Sequence, residues 1–261
     1  MQLNSDIAAI VTGGASGLGE ATARMLAHQG VRVTIFDMNE ERGRMTAGDI
    51  AGTFVPVDVT DAASVAAGFE AARKAHGVER ILVNCAGIAL GRKTLGTDRK
   101  TGELKAHDMA SFRKVVEVNL IGTYQMIAQS VPEMSQLQPI TADGCRGVIV
   151  MTSSVAATDG QIGQAAYAAS KGGVLGMTLP VARDLTEYGI RVCAIQPGVF
   201  ETPMVSGMPE KVRESLAAGV PFPKRLGQAH EYAHVVKFIC ENDYMNGESI
   251  RLDGAIRLAP R

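Results

Sequence analysis

The feature that most constrains the fold is a strand, a glycine turn and a helix in immediate succession near the N-terminus. Ile7 to Val11 is a short, mostly apolar run that ends in Thr12-Gly13-Gly14-Ala15-Ser16-Gly17-Leu18-Gly19, and a helical pattern follows from Glu20 to Gln29. Gly13, Gly17 and Gly19 let the backbone turn sharply and approach a ligand closely, while the unpaired N–H groups of a helix start favour a pyrophosphate. A strand-to-helix glycine turn is the context a dinucleotide requires. The spacing Gly-x-x-x-Gly-x-Gly differs from Gly-x-Gly-x-x-Gly and marks a variant.

The unit then repeats. Val31 to Phe36 reads as a second strand, and Asp37 stands at its end, about 20 residues after the glycines, where a carboxylate binds both hydroxyls of an adenosine ribose and repels a 2′-phosphate. Ala15 and Ser16 supply no cation for such a phosphate, so the cofactor expected is NAD and not NADP. Helices near 39–50 and 61–76 alternate with strands at 53–57, ending in Asp58-Val59, and at 80–83, ending in Asn84-Cys85-Ala86-Gly87. Further strands are expected at 147–151, 190–195 and 249–252. Such alternation means an α/β fold: a doubly wound parallel sheet of about seven strands, flanked by helices, binding ligands beyond the carboxyl ends of its strands. At 261 residues the chain suits a single large domain, and no repeat, low-complexity tract or linker divides it.

The candidate residues cluster at those strand ends. Asp58 is placed to hydrogen-bond an adenine amino group, and Val59 to pack on the ring. Asn84 with Gly87 either lines the site or simply ends a strand and turns the chain. The fifth strand delivers Ser153 and Ser154, and the sixth ends in Pro197-Gly198-Val199-Phe200-Glu201-Thr202. A long helix expected over about 108–131 carries Asn119 amid apolar positions; a buried asparagine must be hydrogen-bonded, so it satisfies a backbone kink, holds a water near the site, or both. The next helix runs on to about Tyr188, with a bend expected at Pro180. It carries Tyr167 and Lys171 one turn apart on one face. A positive charge about 5 Å from a phenol, at an effective dielectric of about 20, favours the phenolate by roughly 3 kcal/mol, or about two pKa units. Tyr167 would then exchange protons near neutral pH.

Other stretches bound the function. Net charge is −1 with 46% hydrophobic and 20% charged residues and no charged block, which gives no electrostatic case for nucleic acid or a membrane surface. Cys85, Cys145, Cys193 and Cys240 form no Cys-x-x-Cys pair and suit reduced thiols, so a cytoplasmic protein is expected. No apolar run reaches membrane-spanning length, and Met1 to Asp6 shows no basic or apolar leader. Residues 88–107 read as a polar loop, locally basic through Arg92, Lys93, Arg99, Lys100 and Lys105; it either meets the phosphates of a large anionic substrate such as a coenzyme A thioester or is a solvated loop. The Pro- and Gly-punctuated segment 203–227, with a short helical stretch, reads as a lid over a cleft. His230-Glu231-Tyr232-Ala233-His234 fits the helical zinc pair His-Glu-x-x-His, but only the distant Glu241 or Glu248 remains as a third ligand, and no metal is expected.

Taken together and in order, Thr12-Gly13-x-x-x-Gly17-x-Gly19, Asp37, Asp58-Val59, Asn84-Cys85-Ala86-Gly87, Asn119, Ser154, Tyr167-x-x-x-Lys171 and Pro197-Gly198 resemble the short-chain dehydrogenase/reductase family over essentially the whole chain. The stretches 160–167, 176–185, 220–227 and 250–257 resemble its 3-hydroxyacyl-CoA dehydrogenase group. The resemblance implies a Rossmann-type sheet, with about 1–150 serving the cofactor and about 151–261 catalysis and substrate. It implies NAD contacts at Ser16, Leu18, Asp37, Asp58, Val59, Cys85, Phe200 and Thr202, and a catalytic set of Asn119, Ser154, Tyr167 and Lys171. Gln161 and Gln164 would lie near the substrate, expected to be an acyl-CoA thioester, and the helices bearing Asn119 and Tyr167 would pair between subunits of a homotetramer. A hydroxysteroid or other secondary alcohol, a 3-oxoacyl-carrier-protein substrate, and an idle NAD-sensing or scaffold protein stand as alternatives.

Overall fold

The structure is a computed structural model that describes residues 1–98, 100–207 and 209–260. Its elements alternate from the start: β1 (Ala8–Thr12), α1 (Gly17–His28), β2 (Arg32–Asp37), α2 (Glu40–Asp49), β3 (Thr53–Pro56), α3 (Ala62–His76) and β4 (Ile81–Asn84). An inserted pair follows, β5 (Leu95–Thr97) and β6 (Leu104–Ala106), and then α4 (Met109–Val116), α5 (Gly122–Met134), β7 (Gly147–Thr152), α6 (Ala165–Asp184) and β8 (Ile190–Pro197). The remainder comprises β9 (Phe200–Glu201), α7 (Pro203–Ser206), α8 (Glu210–Ala218), β10 (Gly227–Gln228), α9 (Ala229–Glu241) and β11 (Ser249–Leu252).

The expected seven strands form one parallel sheet in the order β11-β8-β7-β4-β1-β2-β3. The order reverses between β1 and β4, and the crevice beyond their carboxyl ends is where such a sheet binds its ligand. Successive strand residues face opposite sides, so Val11, Val83, Val150 and Ile195 pack under α1 and α9 with Ala23, Leu26, Tyr232 and Val236. Their neighbours Ile10, Leu82, Ile149 and Ala194 pack under α3, α5 and α6 with Phe69, Met126, Ile127 and Val174. Burial on both faces explains why the strands read as continuous apolar runs.

Three expectations need correction. Residues 88–107 are not simply a loop: Leu95–Thr97 and Leu104–Ala106 pair antiparallel, with Lys105 held by Asp98 at 2.8 Å. Arg99 lies outside the described residues. The helix expected over 108–131 continues to Met134 and is interrupted by one π-helical turn, Glu117–Ile121, centred on Asn119. The helix expected to reach Tyr188 stops at Asp184, and a short 3-10 turn, Thr186–Tyr188, follows. The 203–227 segment contains α7 and α8, and its end is fixed by pairing of β10 with β9.

Candidate active site

The turn after β1 and the turn after β4 are built against each other. Gly13 has φ +65°, and a Cβ there would lie 2.8 Å from the Ala86 nitrogen; one at Gly19 would lie 2.2 Å from the Gly13 carbonyl oxygen. Neither position admits a side chain. The Thr12 hydroxyl accepts from the N–H groups of Cys85 (3.1 Å) and Ala86 (3.0 Å), which locks the two turns together. Asn39, Asp61 and Asp108 cap α2, α3 and α4, whereas the Ser16 side chain makes no capping bond to α1. The first-turn N–H groups of α1, at Gly17 and Leu18, are thus left for an anion, and this cradle fits a pyrophosphate.

The other cofactor candidates surround that turn. Asp37 accepts from the Ala15 N–H at 3.1 Å and the Asn39 N–H at 2.9 Å, which holds its carboxylate beside the glycines with a lone pair to spare on each oxygen. Asp58 is oriented by the Thr60 N–H (2.9 Å) and hydroxyl (2.8 Å), and Val59 is buried against Gly122 of α5. Pro197 ends β8, Gly198 donates to the Leu252 carbonyl at 2.9 Å, Phe200 is buried, and the Thr202 methyl approaches Gly17. Asn84 is different: its side-chain amide is buried without a partner among the described residues and lines a narrow internal void with Thr12, Val118, Thr123 and Met126. Its alternation with Val83 sends it towards α5.

Asn119, Ser154, Tyr167 and Lys171 converge at the end of β7. Lys171 is 4% exposed and donates to the Thr152 carbonyl at 2.7 Å, while the Ser153 hydroxyl donates to the Lys171 carbonyl at 2.8 Å. Lys171 Nζ lies 5.9 Å from the centre of the Tyr167 ring. Asn119 is fully buried; its Oδ1 accepts from the Ile88 N–H, and its Nδ2 donates to the Ile88 carbonyl and to Ser170 Oγ. A Cβ at Gly87 would lie 3.2 Å from Asn119 Oδ1 and 3.5 Å from Lys171 Nζ, so the β4 turn passes close against this pair. Ser154 caps a 3-10 turn by accepting from the Ala156 N–H at 3.1 Å.

The electrostatics correct one expectation. Burial raises the Tyr167 pKa, and the hydrogen bond with Ser154 only partly offsets it. The same burial lowers Lys171 to about 8, with Cys85 opposing. Desolvation penalises both charged forms, which the helical spacing could not reveal.

Several contributing residues escaped the sequence. The Thr152 hydroxyl donates to the Asn84 carbonyl at 2.6 Å and pairs with the Tyr232 hydroxyl at 2.7 Å, with Cys85 Sγ alongside. Tyr232 sits inside the suspected zinc motif, where only its periodicity with Val236 and Ile239 marked it as a core position. In that motif Glu231 accepts both arms of Arg225, at 2.8 and 2.9 Å, and the Gln228 N–H at 2.7 Å, which holds its carboxyl down to about 2. The glutamate caps α9 and anchors the end of the 203–227 segment. Among the described residues no group of three or more His, Cys, Asp or Glu is arranged to hold a metal.

A cavity of about 430 Å³ is lined by Lys93, Thr94 and Leu95 of the insertion and by residues 160–165 with Ala168. It contains both Gln161 and Gln164. Ala165 and Ala168 lie on α6, the helix that also carries Tyr167 and Lys171.

Residues 7–213 match the family model described as short chain dehydrogenase. The chain belongs to the short-chain dehydrogenases. It is 50% identical over 253 residues to 3-hydroxyacyl-CoA dehydrogenase type-2 of Drosophila melanogaster, covering 96% of this chain and 97% of that one. The Homo sapiens protein of the same name is 48% identical over 256 residues, covering 97% and 96%. The crystal structure of 3-hydroxyacyl-CoA dehydrogenase type-2 from Mycobacterium avium matches with a TM-score of 0.91 at 40% identity, covering 98% of each chain. As a short-chain dehydrogenase the protein is an oxidoreductase acting on CH–OH groups with a nicotinamide cofactor. No helix among the described residues is long and apolar enough to cross a membrane.

Proposed function

We propose that the protein interconverts 3-hydroxyacyl-CoA and 3-ketoacyl-CoA with NAD. The observation that carries the reading is that one helix, α6, brings Tyr167 and Lys171 together with Ser154 and also supplies Ala165 and Ala168 to the wall of a cavity lined by Lys93, Gln161 and Gln164. The relatives named as 3-hydroxyacyl-CoA dehydrogenases support the substrate class. Lys93 in the cavity wall, with Arg92 next to it in the chain and bonded through its N–H to Gly163, suits the phosphates of coenzyme A, and Asp37 beside the glycine turn suits NAD over NADP.

When bound, the nicotinamide takes or returns the hydride. The chain's own residues manage the proton. In oxidation the substrate hydroxyl lies between Ser154 and Tyr167, Ser154 holds the oxygen, and the Tyr167 phenolate removes the hydroxyl proton. Because burial raises the phenol pKa, the phenolate depends on a positive environment, and Lys171 supplies the nearest fixed cation. Lys171 also orients the nicotinamide ribose. Asn119 has both amide donors committed, so it tethers a proton-relay water through the remaining lone pairs of its oxygens. Residues up to about 150 chiefly hold the cofactor and those after it the substrate, although Pro197, Gly198, Phe200 and Thr202 reach back to the cofactor side.

The four unbridged cysteines support a reducing compartment, the cytoplasm. Exposed Met109, Ile121 and Tyr124 on the α4–α5 surface support assembly into a homotetramer, measurable by light scattering. The function is tested by initial rates with NADH or NADPH against acetoacetyl-CoA, longer 3-ketoacyl-CoAs and a ketosteroid. NADH with a thioester is expected to give the highest kcat/KM; failure on every thioester removes the substrate assignment and leaves the dehydrogenase standing.

A further inference from the structure

We propose that the C-terminal tail, residues 256–260, is a positioning latch for the substrate wall at 158–164; the substrate it serves rests on the function proposed above. The wall contains Gly160 and Gly163 and lies between the short 3-10 turn that Ser154 caps and the start of α6. Left to itself, a stretch of this composition would sample many conformations. Its fixed shape comes from outside. On one side, the Arg92 N–H of the insertion donates to the Gly163 carbonyl at 2.8 Å. On the other, Ile162 N–H donates to the Pro260 carbonyl at 3.0 Å, and Gln161 Nε2 donates to the Ala259 carbonyl at 2.8 Å. Gln161 N–H in turn donates to Gln164 Oε1 at 2.9 Å, so the tail's hold on Gln161 extends to Gln164.

The tail has no regular structure of its own and is anchored by one guanidinium. Arg251, in β11, donates through Nε to Asp253 at 2.6 Å, through Nη1 to Thr158 Oγ1 at 2.9 Å, and through Nη2 to the Asp159 carboxylate and to the Ile256 carbonyl at 3.0 Å. The side chains of Arg251, Asp159 and Asp253 are 22%, 18% and 8% exposed, which shields these bonds from the screening that weakens surface pairs. Arg257 adds a further bond to Asp253 at 3.3 Å, and Ile256 is buried. The planar fork of arginine reaches the strand end, the tail and the wall at once, which a lysine cannot do. Gln161 and Gln164 therefore take their positions in the cavity from residues more than 90 positions later in the chain.

The test compares the full chain with one ending after Leu258 and with Arg251→Met and Arg251→Lys. Each altered protein is expected to raise KM for acetoacetyl-CoA about five- to twentyfold, with KM for NADH and kcat within about twofold, and Arg251→Lys to recover part of the loss. Hydrogen exchange gives a readout that needs no substrate. Amides of 158–164 are expected to exchange at least about tenfold faster without the tail, while those of 170–184 keep their rates. The shortened chain decides the matter should Arg251→Met fail to fold. Unchanged exchange at 158–164, or equal rises in both KM values, overturns the latch. A full chain inactive on every thioester overturns the proposed substrate instead, and the exchange rates still decide the latch.

Discussion

Asn119 grips Ile88 from both sides, accepting its N–H at 2.8 Å and donating to its carbonyl at 2.9 Å. This pairing ties the π-helical turn in the middle of one long helix to the loop that leaves β4, and it brings Gly87 against Lys171. The side chain does the work of a short strand pair at a place where the backbone has none. Asn119→Leu would leave both Ile88 groups unpaired, at about 1–3 kcal/mol for each buried orphan. Urea unfolding is expected to show a loss of at least about 2 kcal/mol, and turnover to fall at least about tenfold. Asn119→Asp, which keeps the acceptor for Ile88 N–H, should lose less stability.

Tyr167→Phe removes the phenol hydroxyl proposed to transfer the proton and keeps the ring. General acid–base catalysis contributes about 10²–10⁴-fold, so kcat is expected to drop by at least about a hundredfold. NADH affinity, followed by its fluorescence, should stay within about threefold of the parent. A variant turning over at the parental rate would reject the proton-transfer role.

Lys171 provides a pH test with a definite sign. Its folded pKa, lowered from 10.5 to about 8 by burial, lies below that of the unfolded chain. Between those values the unfolded state binds more protons, so this group makes stability rise with pH from about 8 to about 10.5; below about 8 both states are protonated and the burial cost is constant. The rise amounts to ~3 kcal/mol at most. Denaturation of the parent and of Lys171→Met over this range should show that the parent gains on the variant as pH increases. Parallel curves would contradict it.

Asp37→Ala removes the carboxylate beside the glycine turn together with its hold on the Ala15 N–H. A lost charge-assisted bond is worth about 1.5–3 kcal/mol, so the NAD-over-NADP ratio of kcat/KM should fall about tenfold or more. An unchanged ratio would move cofactor choice to other residues.

Prolonged dialysis against a chelator is expected to leave kcat within about twofold, because Glu231 is already engaged by Arg225 and Gln228. Loss of activity on chelation, restored by zinc, would return His230 and His234 to a metal site.

Much of the site was legible because its motifs are local. The spacing of Gly13, Gly17 and Gly19 carries the turn, the position of Asp37 after a strand carries the proposed ribose contact, and the i, i+4 spacing of Tyr167 and Lys171 puts both on one helix face. Repeated strand–helix alternation carried the parallel sheet, whereas the reversed strand order that joins Gly13 to Ala86 was visible only in the fold. Other features depended on distant partners. The side chain of Asn84 faces α5 because of strand alternation in a particular register, and the basic insertion folds back on itself as β5 and β6. Tyr232 looked like a filler between two histidines, yet it reaches Thr152 at the end of β7.

The sequence by itself determined the parallel sheet, the glycine cradle and which residues are proposed to handle the proton, since each is encoded in short stretches of chain where spacing fixes geometry. The tertiary structure alone decided the electrostatic balance of Tyr167 and Lys171, because desolvation depends on everything packed around a group and not on its neighbours in sequence. It also decided the shape of the substrate wall, where the Ala259 and Pro260 carbonyls meet Gln161 and Ile162. Backbone acceptors carry no residue signature, so a contact made through them is visible only once the chain has folded.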